Sequence, residues 1–200
     1  FGLHIRPKGK DNMKVITGSA RGKNLATLIG GDIVRPTSQR VKEGMFSAVQ
    51  FHIAGARVLD MFAGCGQLGI EALSRGAALA VFVDESRDAA AVVTQNLKNA
   101  ELYSSARVIS TESLRFAKFC KEKFDIVFID PPYRSELALP SLELVAPIVS
   151  DGGFVFVEAD RRTEFPDVVG ALSLHKRYKY GNVSVWLYRA ENYESDGDTE

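Results

Sequence analysis

Two prolines between an acid and an aromatic residue form the most chemically suggestive motif of the chain, Asp130-Pro131-Pro132-Tyr133. Proline fixes its backbone φ at about −65° and has no N–H, so the loop is stiff and presents carbonyl acceptors. The Asp130 carboxylate and the Pro131 carbonyl can accept the two hydrogens of an exocyclic amine. Such contacts favour a pyramidal nitrogen with a free lone pair, and Asp130 can take the released proton.

Tyr133 offers a ring on which a nucleobase can stack, a contact worth about 1–3 kcal/mol. The alternative is a proline-rich turn with the Tyr133 ring in the core. We favour the catalytic interpretation because a glycine-rich turn follows another strand at a matching position.

That turn runs from Asp60 to Gly69, between a predicted strand and a predicted helix. Gly64, Gly66 and Gly69 fit the pattern G-x-G-x-x-G, and Asp84 follows Gly64 by twenty positions. The same pattern is typical of dinucleotide-binding proteins, so the glycines alone leave an NAD enzyme open.

Asp60 favours a different cofactor. A carboxylate at this strand end would repel a pyrophosphate by about 4 kcal/mol near a protein surface. S-adenosylmethionine carries no phosphate, and its ammonium and sulfonium groups would be attracted. The alternative role for Asp60 is to cap the helix, while Asp84 can accept the ribose hydroxyls of either cofactor.

The rest of the predicted cofactor site comes from residues beside these strand ends. Phe62 lies within the turn, and Glu112 and Ser113 follow the third strand, where they can reach an adenine ring. Ser113 is equally suited to be a helix N-cap, and Glu112 to be an exposed loop acid. The three histidines are scattered and match no metal-binding spacing, so we expect no metal.

Strand-like and helix-like segments alternate through the chain, which predicts a mostly parallel α/β sheet covered on both faces. A helix containing Val41, Met45, Val49 and Ile53 at i, i+4 spacing is predicted after Thr37 or Ser38. The predicted strands are 57–61, 79–83, 107–110, 124–129, 153–157, 172–180 and 183–188, and the later helices are 68–75, 87–99, 113–121 and 137–149.

The last two predicted strands are joined only by Gly181-Asn182, so they must pair antiparallel. A parallel sheet that ends in an antiparallel hairpin is the shape of a Rossmann-like class I methyltransferase. We therefore predict a mostly parallel seven-stranded sheet of this type, with a small β-hairpin extension at the N-terminal end.

The formal net charge is zero, but the charge is unevenly distributed. Residues 1–45 contain nine basic and three acidic residues, a local excess of six positive charges. Such a patch suits a polyanion, although a solvated basic terminus is an equal alternative on charge alone. Cys65 and Cys120 form no disulfide framework, and no apolar run could span a bilayer, so we expect a cytoplasmic protein.

The expected organisation has four parts. Residues 1–12 are an extension or an expression scar, 13–34 form the hairpin extension, 35–190 the methyltransferase domain, and 191–200 an acidic disordered tail.

Four stretches resemble the RsmD-like family, bacterial methyltransferases of the guanine N2 position in small-subunit ribosomal RNA. The resemblance runs from about residue 13 to residue 190. Its most specific part is Arg35-Pro36-Thr37-Ser38-Gln39-Arg40-Val41-Lys42-Glu43, in which Gln39 replaces a usual acidic residue. The other parts are 15–23, the turn with its continuation at 60–76, and the loop at 130–133.

The resemblance implies S-adenosylmethionine as the cofactor and ribosomal RNA, within a small-subunit particle, as the partner. A monomer is the default expectation for the oligomeric state. The resemblance also implies that the RNA side of the site is lined by Arg21, Lys23, Arg35, Thr37 and Arg40. The Gly181-Asn182 hairpin, with Arg177, Tyr178 and Tyr180, can add contacts, although core packing suits the two tyrosines better.

Three other functions stay open on the sequence. The same chemistry could act on an amine of a DNA base or on a glutamine of a protein, although no separate target-recognition domain is evident. The other two are an NAD-dependent oxidoreductase and an RNA-binding scaffold without catalytic activity.

Overall fold

One twisted sheet organises the computed structural model, which describes residues 13–27, 37–132 and 136–191. The sheet order is β3-β2-β1-β4-β5-β8-β7-β6, where the strands are β1 Arg57–Met61, β2 Leu79–Asp84, β3 Ala106–Ser110, β4 Phe124–Ile129, β5 Val149–Asp160, β6 Val168–Val169, β7 Leu172–Tyr180 and β8 Val183–Ala190. β1 to β5 run parallel, and β8, β7 and β6 add antiparallel pairs. This confirms the predicted class I fold, to which the two-residue β6 adds a further edge strand.

The strand order reverses between β1 and β4. From β1 the chain passes outward to β2 and β3, and it then crosses back to β4 on the other side of β1. In open α/β sheets ligands bind outside the carboxyl ends of the strands at such a reversal. The loops that follow β1 and β4 are therefore the expected walls of a site.

Five α-helices cover the sheet within the described residues: α1 Gln39–Ala48, α2 Gln67–Ser74, α3 Arg87–Asn99, α4 Ser113–Phe119 and α5 Ala138–Val145. Residues of α1, α2 and α3 join one core layer, and those of α4 and α5 join the layer on the other face. None of these helices is long and apolar enough to cross a membrane.

α1 begins where the sequence indicated but ends earlier. The Ser38 hydroxyl accepts a hydrogen bond from the Val41 N–H, which satisfies a free donor of the first turn. The helix ends at Ala48, whereas the apolar spacing predicted that it would continue through Val49 to Ile53. Both of these side chains are nonetheless buried, so the apolar spacing predicted their burial correctly but not their conformation.

The N-terminal segment 13–27 is attached to α2. Its two sides pair in a short antiparallel arrangement, with a bridge between Lys14 and Asn24 and a hydrogen bond from the Leu25 N–H to the Met13 carbonyl, in the region where the sequence predicted a hairpin. Gly18 has φ +91°, and a side chain there would overlap the Ser74 carbonyl, so only glycine allows this close approach. Residues 28–36, which contain the expected boundary at 34, lie outside the described residues, and that boundary stays a prediction.

Candidate active site

Four acidic side chains meet at the carboxyl edge of the parallel strands. Asp60 lies in β1 and Asp84 ends β2, while Asp130 directly follows β4 and Glu158 lies near the end of β5. Phe128 is the register partner of Asp60 in β1 and of Phe156 in β5, so alternation places Asp60, Asp130 and Glu158 on the same face. The two predicted motifs therefore share one edge.

The glycine turn brings peptide N–H groups towards this edge. The N–H of Gly64 donates to Asp84 Oδ2 at 2.8 Å, which joins the turn after β1 to the end of β2. Gly66 adopts the left-handed conformation at φ +79° and forms the N-cap of α2. Phe62 also has a positive φ, 60°, although it is not a glycine. Such a conformation is uncommon for a bulky residue and points to a tightly constrained turn.

Gly69 permits close packing of α2 against the sheet. A Cβ at this position would lie 2.3 Å from a ring carbon of Phe82 in β2. The third glycine of the pattern therefore serves close packing of the helix on the sheet, as in other folds that carry this fingerprint.

Asp60 is 2% exposed, and its Oδ2 accepts the Gly69 N–H at 2.8 Å. Burial raises the pKa of Asp60 to about 8, against the lowering effect of that hydrogen bond, and Asp130 and Asp84 raise it further. The helix-capping alternative for Asp60 is thus confirmed. It is compatible with a cofactor role, because a buried acid among other acids is stabilised by an approaching cation.

Asp84 uses both carboxylate oxygens within its own turn. Oδ2 accepts from Gly64, and Oδ1 accepts from the Ser86 N–H at 2.9 Å. Each oxygen has a second lone pair, so these bonds orient the carboxylate and leave acceptor capacity for ribose hydroxyls.

Asp130 is held by a residue that sequence reasoning assigned elsewhere. The Thr37 hydroxyl donates to Asp130 Oδ2 at 2.7 Å, and Thr37 is 4% exposed. Thr37 was expected to line the RNA side, but here it faces the carboxylate. Burial raises the pKa of Asp130 to about 6, and the Thr37 hydrogen bond opposes this rise. A carboxyl group with this pKa is suited to exchange a proton near neutral pH.

The neighbouring predicted residues occupy varied environments. Pro131 is buried, and Tyr133 lies outside the described residues. Ser113 is buried as the first residue of α4, while Glu112 occupies the N-cap position without a side-chain capping bond. The N-cap alternative proposed for Ser113 is therefore wrong by one residue.

Glu158 was missed because β5 was expected to end at Val157. β5 runs to Asp160, and Glu158 continues the alternation of the buried Phe154 and Phe156. The sequence did contain a signal for this, because Glu158 continues the two-residue spacing of Phe154 and Phe156 and so belongs to the same face of the strand.

The predicted basic residues are exposed where they are described. Arg21 and Arg40 are exposed, and Lys23 is exposed and pairs with Glu101 at 3.2 Å. Arg35 lies outside the described residues. Arg177 is occupied within the fold, since it pairs with Glu164 at 2.9 Å and lies over the Trp186 ring.

Comparison with known proteins connects this site to a family. A family model described as "Conserved hypothetical protein 95" matches residues 13–189. Ribosomal RNA small subunit methyltransferase D of Escherichia coli K12 is 33% identical over 193 residues, covering 95% of this chain and 96% of that protein. The chain belongs to the RsmD-like family of methyltransferases. This confirms the resemblance given by the sequence motifs.

Other members agree in sequence and in fold. The Bacillus subtilis protein YlbH, named as a candidate rRNA methyltransferase, is 37% identical over 182 residues, covering 88% of this chain and 98% of that protein. The solved structure of Escherichia coli yhhF, described as a candidate methyltransferase, superimposes with a TM-score of 0.81 at 31% identity, covering 90% of this chain and 99% of that one. The RsmD-like chain therefore shares both sequence and architecture along nearly its whole length.

Proposed function

We propose that this RsmD-like protein transfers a methyl group from S-adenosylmethionine to the exocyclic N2 amine of a guanine in small-subunit ribosomal RNA. The observation that carries the proposal is the placement of Asp60 and Asp130 at the ends of adjacent parallel strands, where each begins one of the two motifs. The names of the relatives support ribosomal RNA as the substrate class.

The charge of the edge suits this cofactor. Within the described part of the chain, Asp60, Asp84 and Asp130 form no ion pair with a basic side chain. A ligand that carries an ammonium and a sulfonium would compensate their negative charge, whereas a pyrophosphate would add to it. Neither the negative charge of this sheet edge nor the family supports the NAD alternative.

When bound, S-adenosylmethionine supplies a methyl group on a positively charged sulfur. Asp60 orients this donor, and Asp84, which the Gly64 N–H holds in place, binds its ribose. Asp130 and the Pro131 carbonyl accept the amine hydrogens of the base and direct its nitrogen lone pair towards the methyl carbon. Positioning of this kind can supply up to about 7–11 kcal/mol of the rate enhancement.

Asp130 then removes one proton. As the new N–C bond forms and the S–C bond breaks, the amine nitrogen becomes positively charged and its N–H becomes acidic. Asp130 accepts that proton and passes it to water, while Thr37 keeps the carboxylate oriented through Oδ2. Tyr133 provides the stacking surface for the base, which must leave its helix at a cost of a few kcal/mol.

The basic residues of the N-terminal region hold the RNA. Arg21, Lys23, Arg35 and Arg40 bind backbone phosphates, so raising the salt concentration weakens RNA binding steeply.

The proposal is tested with Asp130→Asn and small subunits isolated from a strain that lacks this methylation. We expect methyl transfer to fall at least 100-fold, while S-adenosylhomocysteine still binds in a calorimeter and NADH does not. Asp151→Asn is the matched control, because Asp151 is exposed at the opposite end of β5 from Glu158. Full activity in Asp130→Asn, or binding of NADH by the wild type, contradicts the proposal.

A further inference from the structure

Glu158 lies beside the proposed catalytic carboxylate. In the parallel pair of β4 and β5, Ile129 is the register partner of Val157, so the next residues along the two chains are Asp130 and Glu158. Burial raises the pKa of Glu158 to about 8, and the negative charge of the neighbouring Asp130 raises it further.

One oxygen of Glu158 lacks a hydrogen-bond partner within the described part of the chain. Its Oε2 is shielded from solvent and accepts no hydrogen bond from the described residues. Thr37 lies near both acids, but its single hydroxyl hydrogen is donated to Asp130. A buried acceptor left unpaired is unfavourable, so Glu158 is poised to receive a donor from a ligand.

The hydrogen-bonding groups at this place match one nucleobase. Asp130, the Pro131 carbonyl and Glu158 offer three acceptors in one site. The edge of guanine carries three N–H hydrogens in a row, one on N1 and two on N2. Adenine and cytosine have only the two amine hydrogens, and their adjacent ring nitrogen is an acceptor that would face the Glu158 carboxylate.

The neighbouring strands add aromatic surface on the same face. Glu158 is the register partner of Val185 in β8, which is the partner of Tyr178 in β7. Tyr178 stacks on Tyr180, with ring centroids 6.5 Å apart. A planar base that enters beside Glu158 therefore approaches a stacked aromatic pair.

We infer that Glu158 selects guanine by accepting its N1–H while Asp130 and Pro131 hold the N2 amine. The inference rests on the proposed function and identifies Glu158 as the residue that distinguishes guanine from the other bases. A hydrogen bond from N1 favours the carboxylate form, so the proton that Glu158 holds in the free protein is released when guanine binds.

The test uses 2-aminopurine, which keeps the N2 amine but has an unprotonated acceptor at N1. Small subunits are reconstituted with RNA that carries guanine or 2-aminopurine at the mapped target, and kcat/KM is measured for both. The wild type should prefer guanine by about 10- to 100-fold, the range for one hydrogen bond to a charged group. Glu158→Gln should narrow this preference, because its amide can donate to N1 of 2-aminopurine as well as accept the N1–H of guanine.

Glu143→Gln is the control, since Glu143 is exposed on α5. It should leave the ratio of the two substrates unchanged. A structural role for Glu158 would lower both activities equally, so an unchanged ratio in Glu158→Gln overturns the inference. In that case methylation of guanine N2 by the wild type still upholds the proposed function, whereas methylation of adenine or cytosine overturns both.

Discussion

Glu71 of α2 should contribute more to stability than any single exposed ion pair, although it lies outside the active site. It is fully buried, and each carboxylate oxygen receives one peptide N–H and one cation. Oε2 accepts from the Ile16 N–H at 2.7 Å and lies 3.3 Å from Lys42 Nζ. Oε1 accepts from the Thr17 N–H at 3.0 Å and from Arg75 Nε at 2.8 Å.

Glu71→Gln disturbs this arrangement in either orientation of the amide. The new NH2 group must face one peptide N–H and one cation, so two hydrogen-bond or ion-pair contacts are lost. Lys42, whose side chain is only 2% exposed, also loses its counter-charge. Removing one partner of a buried ion pair costs about 3–5 kcal/mol. In a chain of this size, that corresponds to a fall in Tm of roughly 6–20 °C.

The free energy of unfolding is measured by urea denaturation and compared with that of Glu101→Gln. Glu101 pairs with Lys23 on the surface, and its side chain is 82% exposed, so its loss should cost no more than about 1 kcal/mol. Because Glu71 binds the segment that contains Arg21, Glu71→Gln should also speed tryptic cleavage after Arg21. Equal stability of the two variants would refute this account of Glu71.

Three further predictions concern the sheet edge. Gly69→Ala places a Cβ 2.3 Å from the Phe82 ring, so we expect a loss of about 1–3 kcal/mol in denaturation; no loss would contradict the tight packing. The pKa of Asp60 rises from 3.8 to about 8 on folding, so the native state binds more protons between these values, and its stability falls as pH rises. Asp60→Asn should flatten that fall by up to about 1.4 kcal/mol per pH unit, and identical slopes in denaturation at pH 5 to 8 would argue against it. Tyr133→Ala should lower methyl transfer more than Tyr133→Phe does, and equal losses would exclude stacking.

The strands were the most predictable part of the fold. Arg57–Met61 and Phe124–Ile129 were located to the residue, because their mostly apolar sequences are typical of strands buried on both faces. β5 was predicted too short, as 153–157, because polar residues and Gly152 precede its apolar run and Glu158 follows it. Pairing with β8 extends β5 through Glu158 to Asp160.

The site was predicted in outline but not in its supporting contacts. Asp60 and Asp130 were identified because each lies at the carboxyl end of a predicted strand and begins a recognisable motif. The bond from Thr37 to Asp130 joins residues 93 positions apart, and no local periodicity contains such a pairing. The same holds for Glu71 and the segment at Ile16, which are 55 positions apart.

The most direct test of the central claim is to identify the methylated nucleoside. Unmethylated small subunits are incubated with the protein and labelled S-adenosylmethionine, and the RNA is digested and analysed by mass spectrometry. We expect one labelled product, N2-methylguanosine, which places the accepting amine where Asp130 and Pro131 can bind it. A label on a ring nitrogen, a carbon or a ribose hydroxyl, none of which presents an NH2 group, would contradict the account.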